Sequence, residues 1–96
     1  MRITVKDIIE ATAAEFDVTP ADIRGPRRNK VFVVPRQIVY GLSRELTSRS
    51  YPEISHFIGH RDHTTVIQGE RRYHEAHVDD RRTEITRIRK RLAALS

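Results

Sequence analysis

The sequence predicts an all-α fold, a compact bundle of about six helices that contains a helix-turn-helix. Apolar residues recur at helical spacing through most of the chain. Residues that start and stop helices punctuate that pattern at short intervals. The most informative stretch is Gly59-His60-Arg61-Asp62-His63-Thr64-Thr65-Val66. A short helix signal runs into its glycine, and a second helix signal starts near Asp62. Two helices joined by a tight glycine turn make a helix-turn-helix.

Each element has its own justification. Thr4 can cap a first helix, with Asp7 in the capping-box region and Val5, Ile8, Ile9, Thr12, Ala13 and Phe16 on one face. Asp17 breaks that helix. Thr19-Pro20-Ala21-Asp22-Ile23 starts a second: a cap, proline at the first helical position and an acid in the first turn. Gly25-Pro26 stops it, leaving a basic loop over 24–30. Residues 31–34 have strand composition, but we read them as the lead-in to a helix over about 35–47. Ile38, Val39, Leu42 and Leu46 give that helix its inner face. Pro35 suits its start, and Arg36 and Gln37 fall in its first turn, near the positive end of the dipole.

The residues from Ser50 to Ile58 read as a short helix ending at Gly59. Ser50 and Glu53 form a capping box, and Pro52 is tolerated in the first turn. Gly59 supplies the positive φ that ends it. The following helix is expected over 62–77, with Val66, Gly69, Tyr73 and Ala76 inward. Glycine in mid-helix costs about 1 kcal/mol relative to alanine, so close packing is expected at Gly69. Asp79-Asp80 can start a last helix. Its stripe of Val78, Ile85, Ile88, Leu92 and Leu95 fits either a helix laid back on the bundle or a dimerisation seam, although the stripe is short for a coiled coil.

The 96 residues suit one domain spanning 1–96, with a modest core. Hydrophobic residues make up 38% and charged residues 32%, which suits a small soluble domain with a charged surface. The net charge is +5 and the pI about 10.2, which points to a polyanionic partner. There is no cysteine, so disulfides and thiolate zinc sites are excluded. No apolar run approaches a membrane span, and the first residues are not a signal peptide, so the expected location is the cytoplasm, at the nucleoid.

The second helix of a helix-turn-helix offers its N-terminal residues to the major groove. Here those are Arg61, Asp62, His63, Thr64 and Thr65, all able to address base edges or phosphates. Taken alone, the same residues also read as the cap and solvated start of an ordinary helix. Arg27, Arg28 and Lys30 likewise read alone as a solvated charge run. His60 and His63 are three apart, as are His74 and His77, but neither pair has a convincing third ligand, so no metal is expected. No catalytic triad, phosphate-cradling loop or paired buried carboxylates stand out, so no enzyme, cofactor or small-molecule substrate is expected.

The segment Ile58 to Val66 closely resembles the signature of the C-terminal, origin-binding domain of the bacterial replication initiator DnaA. The residues Ile3 to Ile9, Ala21 to Ile23, Arg27-Arg28, Pro35 to Ile38 and Arg44 to Thr47 fall in that family's order and spacing, covering roughly residues 3–77. The resemblance implies that Asp62 accepts a hydrogen bond from a cytosine amino group. It implies that His63 and Thr64 meet thymine methyls and base edges, and that Thr65 assists at the groove or the phosphate. Arg61 is expected to anchor a phosphate or a base. By resemblance, Arg28 enters the minor groove, where arginine suits narrow A·T-rich sequence. Arg36, Gln37 and Arg44 match positions that hold the phosphate backbone.

The implied partner is double-stranded DNA, at an A·T-rich box such as TTATCCACA or a variant. The implied role is control of replication initiation or transcription, as a regulator occupying such boxes or as a piece of a full initiator. The alternative is an adaptor that meets a protein partner, or a second copy, through the helix over 78–95. The sequence departs from the family at four places. It has no Gly-x-x-x-x-Gly-Lys-Ser/Thr loop. Val33-Val34 replaces a usually more basic or small approach to Pro35-Arg36-Gln37. Position 60 is His where a second glycine is common. Gln68-Gly69 stands where His-Ala is usual.

Overall fold

The first helices are set by local side-chain-to-backbone bonds. In a computed structural model describing residues 2–26, 29–59 and 61–95, every regular element among them is helical. Helix α1 is Val5–Phe16. The Asp7 amide donates to Thr4 Oγ1 at 3.1 Å, and the Thr4 amide donates to Asp7 Oδ2 at 2.9 Å. Asp17 ends the helix in the left-handed region at φ 56°, a conformation that aspartate tolerates better than most residues. Helix α2, Pro20–Arg24, repeats the reciprocal cap with Thr19 and Asp22. It turns off at Gly25.

A 3₁₀ turn over Lys30–Phe32 leads into helix α3, Val33–Leu46. The helix starts two residues before the Pro35 start read from the sequence. Pro35 still lies in the first turn, where its missing N–H has no helical partner to lose. The buried Phe32 ring anchors the 3₁₀ turn beneath it. Helix α4 is Tyr51–Phe57 and helix α5 is His63–Arg72.

Beyond α5 the chain does not stop at His77. It winds through a π-helical turn, Tyr73–His77, into a single turn α6, Val78–Asp80. The break falls at Arg81 (φ −119°, ψ 32°), and helix α7 runs over Arg82–Ala93. Asp79 and Asp80 therefore close one rod and do not open the next, contrary to the sequence reading. No helix among the described residues is long and apolar enough to cross a membrane.

Helix α3 is the central strut, packed by α1 on one side and α5 on the other, with α7 laid on α1. Ile38, Val39, Tyr40 and Leu42 of α3 join Val5, Ile8, Ile9 and Ala13 of α1 and Val66 and Tyr73 beyond α4 in one buried cluster. Ile85, Ile88 and Leu92 of α7 are spent in that same core. Val78 and Leu95, the ends of the apolar stripe, stay exposed. Arg89 fastens α7 to α3 with two hydrogen bonds to the Glu45 carboxylate, at 2.6 and 2.8 Å, and reaches the Tyr73 hydroxyl at 3.3 Å.

The crossing of α3 and the α5 rod is unusually close, and two glycines make it so. The ring of Tyr40 on α3 lies where a Cβ on Gly69 would be, and the ring of Tyr73 lies where a Cβ on Gly41 would be. This reciprocal glycine–tyrosine packing is the close approach expected at Gly69.

Candidate nucleic-acid interface

Helices α4 and α5 form the helix-turn-helix, and local chemistry defines each end. The Glu53 amide donates to Ser50 Oγ at 3.3 Å, and Glu53 Oε1 accepts from the Ser50 amide at 3.0 Å. Gly59 takes φ +75°, and a Cβ there would also run into the Arg24 carbonyl oxygen. Asp62 caps α5, its Oδ1 accepting from the Thr64 amide at 2.9 Å. That backbone bond is the main reason its carboxyl is held below the usual aspartate range. Asp62, His63, Thr64 and Thr65 are all exposed, whereas Val66 and Gly69 on the opposite side of α5 are buried. Capping and an outward-facing carboxylate thus coexist in Asp62.

The angle between α4 and α5 is braced by side chains. The Tyr51 hydroxyl donates to Glu70 Oε1 at 2.5 Å, and the Arg44 guanidinium stacks 4.2 Å over the Tyr51 ring. Arg44 also donates to the Arg49 carbonyl at 2.9 Å. Arg61 reaches inward. Its guanidinium donates to the Ile58 carbonyl at 2.6 Å and to the Gly25 carbonyl, tying the turn to the end of α2.

Arg36 is committed in the same way. It is only 6% exposed and stacks against Phe32. It donates to the carbonyls of Ile23 at 2.9 Å, Asp22 at 2.8 Å and Gly25 at 3.0 Å. Burial, and then the charge of Arg61 nearby, lower its basicity. Arg36 and Arg61 therefore converge on one carbonyl and hold the α2 end against the helix-turn-helix. The sequence places both at DNA and gives no sign of this clasp. Carbonyl partners 11 to 14 residues away for Arg36, and 36 away for Arg61, leave no sequence signal.

Gln37 is half-buried and pairs its Oε1 with His77 Nε2 at 2.7 Å. An open cavity of about 220 Å³ lies between α3 and α5, lined by Val33, Arg36, Gln37, Tyr40, Arg61, Thr65, Gln68 and Gly69. Lys30, Arg71 and Arg72 are exposed and form no ion pair among the described residues. Arg27, Arg28 and His60 lie outside the described residues. No group of three or more potential ligands gathers for a metal among the described residues.

His77 gives the rod a pH dependence. Burial is the main cause of its lowered pKa, and the cations of Arg72 and Arg81 add to it against the carboxylate of Asp80. A histidine with a folded-state value below its unfolded value binds fewer protons when folded. Its contribution to stability is therefore present above about pH 6.5 and is lost as pH falls through the folded-state value. Urea unfolding between pH 7.5 and 5 is expected to show that loss, and His77→Gln to flatten the slope. An unchanged slope in the variant would assign the pH dependence elsewhere.

The family model described as bacterial dnaA protein helix-turn-helix matches residues 5–72. The chain is 42% identical over 79 residues to the chromosomal replication initiator protein DnaA of Caulobacter vibrioides (strain NA1000 / CB15N), covering 82% of this chain and 16% of that protein. It is 51% identical over 65 residues to the protein of the same name from Lactiplantibacillus plantarum, covering 68% and 14% respectively. The protein from Roseobacter denitrificans shares 39% over 79 residues, with 82% and 17% covered. The chain thus spans about one sixth of the length of these relatives. The profile match runs through every element from α1 to α5, including the capped turn just described, so the chain belongs to the bacterial DnaA helix-turn-helix family.

Proposed function

We propose that this chain binds duplex DNA sequence-specifically, at sites resembling the box of the bacterial replication initiator, in control of replication initiation or transcription. The carrying observation is the first turn of α5. Four polar residues, Asp62, His63, Thr64 and Thr65, stand exposed on a helix whose other side is locked into the core. An acidic group suits the cytosine amino donor, and a threonine methyl suits the thymine methyl. The net charge of +5 favours the phosphate backbone, and the relatives above are chromosomal replication initiator proteins. The loop holding Arg27, Arg28 and Lys30 follows α2 and would meet the adjacent minor groove.

Paired titrations of a box-containing and a scrambled duplex, over several salt concentrations, test this reading. Each neutralised phosphate contributes about −0.9 to the log–log salt slope. His63→Ala or Thr64→Ala is expected to cost about 1–3 kcal/mol on the best site and to relax base preference there. Lys30→Ala is expected to weaken all sequences alike and to make the salt slope shallower. Equal affinity for both duplexes removes sequence specificity, and a flat salt response removes nucleic-acid binding altogether.

A further inference from the structure

Helix α5 carries a second turn of exposed residues that the capped first turn does not account for. At 3.6 residues per turn, four residues bring the chain back to nearly the same face. Gln68 therefore stands one turn beyond Thr64, on the side away from buried Val66, Gly69 and Tyr73. Arg71 follows on the same ridge, also exposed. The Gln68 side chain borders the cavity between α3 and α5, beside Thr65 and Arg61. Its amide makes no hydrogen bond among the described residues, whereas Gln37 across that cavity is already paired with His77.

One helical turn advances about 5.4 Å, against about 3.4 Å per base step. A helix that sets Thr64 against one base thus carries Gln68 over a base one or two steps away. A carboxamide offers one acceptor and a pair of donors side by side. Adenine is the base whose major-groove edge presents the matching acceptor and donor, N7 and the N6 amino group. From these placements we propose that Gln68 is a specificity-determining residue that selects adenine at one position next to those read from the first turn. The proposal rests on α5 being the reading helix.

Selection from a randomised duplex pool, followed by titration of single-base variants, tests it with the full chain. The wild-type chain is expected to prefer adenine at one position by about 5- to 150-fold. Gln68→Ala is expected to abolish preference at that position and to leave the others unchanged. Gln68→Glu replaces the donor–acceptor pair with acceptors only, so its preference is expected to move toward cytosine, whose edge presents an amino donor. Circular dichroism and unfolding of both variants check that the exposed substitutions leave the fold intact. A Gln68→Ala chain that still selects adenine there overturns the proposal alone. So does one that weakens equally on every sequence, the mark of a phosphate contact. A wild-type chain that selects no sequence overturns both this proposal and the assignment of α5 as reading helix.

Discussion

Arg36→Ala is expected to lower the unfolding free energy by about 2–5 kcal/mol, because hydrogen bonds to a charged group contribute roughly 1.5–3 kcal/mol each and do not sum fully. The guanidinium is the donor for three backbone carbonyls, those of Asp22, Ile23 and Gly25. Helix α2 has five residues, too few to persist without tertiary support. Releasing its C-terminal carbonyls should let that corner open. The Gly25 carbonyl is also held by Arg61, so the opening should reach the turn between α4 and α5. Arg36→Lys should not rescue the loss, since one ammonium cannot span three carbonyls as a planar guanidinium does. Urea unfolding gives the stability, and amide exchange over residues 20–25 reports the corner. An Arg36→Ala chain with an unchanged urea midpoint but uniformly weaker DNA binding would make Arg36 a phosphate contact and not a clasp.

Gly69→Ala is expected to destabilise the chain by about 2 kcal/mol, although alanine is the better helix former by about 1 kcal/mol. The opposing effect is steric. The new Cβ would occupy space already held by the Tyr40 ring, which is 2% exposed and has nowhere to retreat. Overpacking of this kind costs about 3 kcal/mol at the upper end of its usual range. In a Tyr40→Ala background the ring atoms that meet the new Cβ are gone, and Gly69→Ala should then become neutral or stabilising by up to about 1 kcal/mol. The four chains form a double-mutant cycle read by thermal or urea unfolding. Additive effects would show that Tyr40 and Gly69 do not oppose each other. DNA affinity should fall with stability in Gly69→Ala, because the same crossing sets the tilt of α5 on α3.

Much of the fold is legible because its determinants are local. Thr4 with Asp7, Thr19 with Asp22 and Ser50 with Glu53 announce three helix starts within four residues each, and the structure makes each of those bonds. Gly59 announces the turn because positive φ is cheap only for glycine. Boundaries slipped where neighbours decide. The sequence reads Pro35 as the start of α3, but the helix begins at Val33, directly after a 3₁₀ turn that ends in the buried Phe32. The sequence reads Asp79 and Asp80 as the start of the last helix, but the preceding rod, with Tyr73 and His77 buried, runs onward to them.

The candidate interface divides in the same way. Sequence alone determined the all-helical class, the order of helices, the helix-turn-helix and the polar first turn of α5, because caps, turns and periodicity act over one to four residues. Tertiary structure alone decided which cations are occupied within the chain. Lys30 stays exposed, while Arg36 and Arg61 turn inward to carbonyls and Arg44 lies on Tyr51. It also decided that Gly41 and Gly69 each receive a tyrosine ring, and that Ile85, Ile88 and Leu92 are spent in the chain's own core. The physical reason is range. A guanidinium looks the same in sequence whether it meets a phosphate or a distant carbonyl, and only the packed fold determines which acceptors lie within hydrogen-bonding distance.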